Sequence, residues 1–221
     1  MGTMIALTAA DGHSFAAYRA EPTGTVKAGL VVVQEIFGVN QHMRRVADGF
    51  AAAGYLCIAP ALFDRTQRNV ELGYDKDAVA AGREIRGKVT WEQVMLDCAA
   101  AQRAAAAAGK VGSVGYCWGG SVSWLCATRL KVAAAVCYYG GQIVPFAQEK
   151  PARPVQMHFG EHDHGIPLTD VEKIRHAQPG IEINIYPADH GFNCDERATY
   201  HAESARLARE HTLAFFAKNL S

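Results

Sequence analysis

The chain has 221 residues, 22 basic against 22 acidic side chains and no block of like charges, a balance that argues against nucleic acid or an anionic membrane as partner and for small-molecule chemistry. Its length fits a single α/β domain, 1–221, and no apolar run approaches the roughly 18 residues needed to span a bilayer. Six cysteines (Cys57, Cys98, Cys117, Cys126, Cys137, Cys194) lie in apolar segments with no Cys-x-x-Cys pair. They read as reduced thiols and, with an N-terminus lacking a basic apolar leader, predict a cytoplasmic protein.

Extended stretches at 4–8 and 14–19 flank Asp11-Gly12 and predict a hairpin. Six short apolar runs then read as buried strands, at 30–34, 55–59, 111–116, 133–138, 155–159 and 181–186. Helical patterns separate them. Val39, Met43, Val46 and Phe50 share one face beside Asn40, a candidate cap, and Trp91, Val94, Met95 and Cys98 do the same before Gly109. A short helix is expected around 78–85, another opens after Cys117, one runs over 167–176, and the last carries Leu213, Phe216 and Leu220. Residues 61–90 form a polar excursion holding Arg65, Arg68, Tyr74, Arg83 and Arg86, placed where substrate-contacting insertions are common. Such alternation predicts a mostly parallel sheet with helices on both faces and ligand chemistry at the carboxyl ends of the strands.

The segment 111–120, Val-Gly-Ser-Val-Gly-Tyr-Cys-Trp-Gly-Gly, is the strongest chemical signal. It has the form Gly-x-nucleophile-x-Gly of a strand-to-helix elbow, with Cys117 at the apex and the Trp118 N–H at a helix N-terminus, where a developing oxyanion is stabilised. Taken alone, Cys117 could equally be a buried core thiol. Its companions favour chemistry: Asp163 follows the 155–159 strand and His190 follows 181–186, giving the order nucleophile, acid, histidine of the α/β-hydrolase scaffold. Asp189 and Asp170 are weaker competitors for the acid. The cluster His158, His162, Asp163 and His164 raises a metallohydrolase as an alternative, but His158 falls inside an apolar strand and no Cys or Glu is spaced to complete a site, so neither metal nor cofactor is expected.

Five landmarks carry a resemblance across nearly the whole chain: Val-Gln-Glu-Ile-Phe-Gly at 33–38, Gly-Tyr-Cys-Trp-Gly-Gly at 115–120, Tyr-Tyr-Gly at 138–140, Gly-Glu-His-Asp-x-x-Ile-Pro at 160–167 and His-Gly-Phe at 190–192. In these the chain resembles the dienelactone hydrolase (carboxymethylenebutenolidase) family. The resemblance implies an α/β-hydrolase fold, a Cys117–Asp163–His190 triad, oxyanion-hole N–H groups from Ile36 and Trp118, and Glu35 as a carboxylate contacting the resting thiol. Two positions depart from the pattern: Gly191 and Cys194 stand where dienelactone-cleaving members carry Ser and a carboxylate-binding Arg. Arg83, Arg86, Arg197 and Tyr138 are the remaining candidates to touch substrate. The expected activity is cysteine-dependent hydrolysis of activated esters or lactones through an acyl-thiol intermediate, by a monomer or small homo-oligomer. A non-catalytic small-molecule binding protein on the same scaffold is the alternative.

Overall fold

A computed structural model describes residues 2–221. The chain divides into two compact units between Gly112 and Ser113. In the first, β1 (Thr3–Thr8) and β2 (Ser14–Ala20) form the expected antiparallel hairpin, and β2 also pairs antiparallel with β4 (Tyr55–Pro60), which lies parallel to β3 (Ala28–Val33). Burial follows position: every residue of β3 and β4 is buried, matching their continuous apolar runs, while β1 alternates between half-buried and exposed.

Helix α1 (Gln41–Ala52) starts where Asn40 Oδ1 accepts the N–H of Met43, so the cap read from sequence satisfies one of the donors a helix start leaves open. The 61–90 excursion is more ordered than its polarity suggests. It holds a 3₁₀ turn, Leu62–Arg65, and α2 (Lys76–Gly87), capped by Asp75. Helix α2 is longer than the expected 78–85, since Lys76 and Asp77 carry no apolar signal. Thr90 and Gln93 form a reciprocal capping box that opens α3 (Trp91–Ala105). Both α1 and α3 pack on β4. Arg65 serves this architecture: its guanidinium pairs with buried Asp97 at 2.6 Å and with Asp11 at 2.5 Å.

The boundary between the units falls within β5 (Val111–Tyr116), which leads into α4 (Trp118–Arg129). Strands β6 (Ala134–Tyr138), β7 (Val155–Gly160) and β8 (Glu182–Tyr186) run parallel to one another, with α5 (Leu168–Ala177) between the last two. The final helix α6 (Ala202–Asn219) packs on β6 and β7 and begins well before Leu213, where the apolar pattern becomes visible. Beneath it runs a buried polar chain. Tyr138 Oη meets Thr212 Oγ1 at 2.7 Å, and His158 bonds Thr212, Gln156 and Tyr186 at 3.1, 3.0 and 2.9 Å. Burial drives His158 down to about 3, so this ring is a neutral member of the core.

Candidate active site

Cys117 sits at the apex of the turn between β5 and α4 with φ of 55°, in the left-handed region. Glycine spacing makes this turn possible: a Cβ on Gly115 would land on the carbonyl of Gly119, and one on Gly120 would land on the carbonyl of Tyr138. The Cys117 N–H donates to Tyr138 O at 3.1 Å, tying the elbow to the end of β6. Trp118 is the first residue of α4, so its N–H stands at the positive end of the helix dipole.

The loops after β7 and β8 are stitched together by backbone bonds, Glu161 N–H to Tyr186 O at 2.7 Å and His162 N–H to Ala188 O at 3.0 Å. This stitching brings Asp163 and His190 into register. Asp163 Oδ2 lies 2.7 Å from His190 Nδ1, and His190 Nε2 lies 3.2 Å from Cys117 Sγ. A carboxylate only accepts, so Nδ1 carries a proton toward Asp163 and Nε2 faces the thiol. The other carboxylate oxygen, Oδ1, accepts the N–H groups of Gly165 and Ile166, fixing the buried acid in its loop. Burial opposes charging of His190, but the neighbouring Cys117 sulfur and the bonds to Asp163 and Cys117 prevail and hold its pKa up at about 10.

The competing acids are engaged elsewhere. Asp189 accepts the backbone N–H of His190, and Asp170 pairs with Lys173. Of the histidines near Asp163, His158 is in the core network while His162 and His164 are exposed. Glu35 lies two residues past β3 and is 1 % exposed, so it is not the solvated strand-end acid that its position alone would suggest. Ile36, next in the chain, is half-buried, with its carbonyl against Gly82 of α2.

The candidate substrate residues separate. Arg83 is exposed on α2, and Arg86 lies over the Trp91 ring at 5.0 Å. Tyr138 is buried with its hydroxyl committed to Thr212, so it supports the elbow through its carbonyl. Arg197 is brought to the residue adjoining His190. Gly191 has φ of 77°, and a Cβ there would lie 2.5 Å from Arg197 Nη1, so the glycine that departs from the family pattern makes room for this guanidinium. Sequence reasoning missed Thr199, whose hydroxyl donates to His190 O at 2.8 Å, and Tyr139, whose ring centroid is 5.1 Å from that of His190. The Tyr-Tyr-Gly landmark contained Tyr139, but nothing in it distinguished the second tyrosine from the first.

The model of the "Dienelactone hydrolase family" matches residues 15–220. A Synechocystis sp. protein named "Putative carboxymethylenebutenolidase" is 34% identical over 226 residues, covering 93% of this chain and 92% of its own. One of the same name from Azospirillum brasilense is 35% identical over 232 residues, covering 99% of each. The crystal structure titled "Putative Dienelactone Hydrolase" from Klebsiella pneumoniae superimposes with a TM-score of 0.85 at 34% identity, covering 98% of this chain and 99% of the other. With its elbow cysteine, strand-end histidine and buried aspartate set on an α/β-hydrolase fold, and with relatives matched end to end, this chain belongs to the dienelactone hydrolase family and is a hydrolase.

Proposed function

We propose that this hydrolase cleaves activated esters or lactones by attack of Cys117 on the substrate carbonyl. The observation that carries the reading is the continuous chain Cys117 Sγ, His190 Nε2 at 3.2 Å, and His190 Nδ1 to Asp163 Oδ2 at 2.7 Å. Sγ, its proton given up to Nε2, adds to the carbonyl carbon, and the resulting oxyanion is met by the Trp118 N–H at the α4 start. Collapse breaks the C–O bond, the leaving oxygen takes the proton from Nε2, and an acyl-thiol remains. Water then gives a proton to His190 and its hydroxyl to the acyl carbon, releasing the acid and regenerating the thiol.

A thiol is a good leaving group, so the mechanism favours enol, aryl and thiol esters over amides, whose tetrahedral intermediates would expel thiolate before amine. The family resemblance assigns the second oxyanion N–H to Ile36 and the restraint of the resting thiol to Glu35. With all six cysteines free, the chain fits a reducing, cytoplasmic setting. No helix among the described residues is long and apolar enough to cross a membrane. The substrate is a small molecule, and neutral esters are preferred, since Gly191 and Cys194 stand where dienelactone-cleaving members carry Ser and a carboxylate-binding Arg.

The test is acylation. Incubating the protein with p-nitrophenyl and enol-lactone esters, then mapping the modified peptide, should place the acyl group on Cys117. An enzyme that releases product but never labels Cys117 would refute the mechanism, and one that does neither would be a binding protein on this scaffold.

A further inference from the structure

Three residues other than glycine have positive φ among the described residues: Asn69, Cys117 and Tyr139. Asparagine tolerates that region, and Cys117 is held there by its elbow; an aromatic side chain at φ of 35° has neither reason. Glycine would occupy the Tyr139 backbone without strain, so what the position gains from tyrosine is its side chain.

The surroundings over-determine this conformation. Tyr139 N–H donates to His158 O at 2.7 Å, the preceding carbonyl accepts Cys117 N–H at 3.1 Å, and Gln142 N–H reaches Ser121 Oγ on α4 at 2.9 Å. The loop after β6 is thus pinned to β7, to the elbow and to α4. Its ring, fully buried, lies 5.1 Å from the His190 imidazole at 59° and 5.3 Å from the Phe192 ring at 73°. His190 is otherwise held at its two ring nitrogens, and its side chain is 25 % exposed. Those two bonds fix the nitrogens but resist tilt about the line joining them only weakly. A rigid ring packed against the imidazole supplies that restraint.

We propose that Tyr139 is the positioning residue for His190: a strained backbone fixes its ring as a wall that keeps Nε2 aligned with Cys117 Sγ. This rests on the cysteine mechanism above and adds a residue to it. The role belongs to the ring, since Phe192 and His190 both meet its face or edge.

The experiment compares Tyr139→Gly, Tyr139→Phe and Cys117→Ala with the unmodified enzyme on p-nitrophenyl acetate, recording kcat, KM, the pH–rate profile and the thermal unfolding midpoint. Tyr139→Gly should lower kcat at least about tenfold with KM within about threefold, because misalignment by a fraction of an ångström acts on the transition state. The pH limb belonging to His190 should shift as its contacts to Asp163 and Cys117 loosen. Tyr139→Phe should restore most of the rate. Should the glycine variant fail to fold, Tyr139→Leu, which bears the same backbone strain without the ring, takes its place with the same expected losses. The inference is overturned if the ringless variant keeps its kcat and pH limb while Cys117→Ala is inactive, or if its kcat falls only in step with lost folded protein and the limb stays put. Full activity in Cys117→Ala would overturn the cysteine mechanism and this inference together.

Discussion

Replacing Asp163 with asparagine tests the triad through a geometry that leaves the new side chain no choice. Oδ1 of Asp163 accepts two backbone N–H groups, from Gly165 at 2.8 Å and Ile166 at 3.1 Å, while Oδ2 faces His190 Nδ1 at 2.7 Å. An asparagine must keep its carbonyl oxygen on the two loop donors, since flipping would forfeit two bonds of about 1 kcal/mol each and leave the donors unsatisfied. Its NH₂ then points at Nδ1 and donates. The imidazole is forced to carry its proton on Nε2, against the thiol it should deprotonate. Losing a charge-assisted bond costs roughly 1.5–3 kcal/mol and holding the wrong tautomer adds about 1, so the barrier rises by roughly 2.5–4 kcal/mol, a fall in kcat of about 70- to 900-fold. Asp163→Ala imposes no tautomer and should lose less activity, about 10- to 150-fold, yet it drops both loop bonds and should be less stable by about 2 kcal/mol. Single-turnover acylation by a p-nitrophenyl ester and thermal unfolding should therefore rank the two variants in opposite orders. An asparagine variant as active as the alanine one would refute the reasoning. The pH dependence has a definite sign: His190 titrates at about 10 when folded against about 6.5 unfolded, so the stability it lends is full below 6.5 and lost as pH rises toward 10. In Asp163→Asn that alkaline loss should shrink.

Cys117→Ala should abolish ester hydrolysis with the fold intact by circular dichroism, and Cys117→Ser should keep a weak remnant at most; full turnover by the alanine variant would exclude the nucleophile. Gly120→Ala drives a methyl onto the Tyr138 carbonyl and should cost at least about 2 kcal/mol in urea unfolding, whereas an unchanged midpoint would mean the elbow can open. His158, driven down to about 3 by burial, stays neutral in the fold, so stability should be full above about pH 6.5 and decline as pH falls toward 3; His158→Gln should flatten that decline in thermal scans from pH 7 to 4. On the substrate side, a lactone bearing a free carboxylate should show a lower kcat/KM than its methyl ester, and a tenfold preference for the acid, about 1.4 kcal/mol, would show that Arg197 or another arginine serves it.

The parts of the molecule that were legible in the sequence are those whose cause is local. Strands β3, β4 and β5 announce themselves because burial on both faces demands unbroken apolar runs, α1 because Asn40 stands one residue ahead of the helix it caps, and α3 because Trp91, Val94, Met95 and Cys98 share a face. The elbow is legible for the same reason: Gly115, Cys117 and Gly119 fall within five residues, and the steric demand they answer is confined to that turn. Helix α2 and the first half of α6 are less legible, since their polar residues carry no period. Pairing of side chains across loops is a different matter. That Arg65 is taken by Asp97 and Asp11, or that Tyr138 turns its hydroxyl into the core while Tyr139 turns its ring to His190, depends on tertiary positions that no spacing encodes.

Gly191 shows where the two kinds of information meet. Read along the chain, it is a departure from the dienelactone-cleaving pattern and a loss, because the serine is gone and Cys194 stands where an arginine is expected. In the folded molecule its φ of 77° and its missing Cβ open the space that Arg197 fills, so one departure in the histidine loop is the condition for a positive charge delivered from farther along it. Gly191→Ala should therefore disturb the loop twice, by strain at its own backbone and by displacing the guanidinium, whereas Arg197→Ala removes only the second. If substrate charge is sensed here, both variants should change the ratio of acid to methyl-ester turnover. If Arg197 only packs the loop, both should lower stability and leave that ratio where it was.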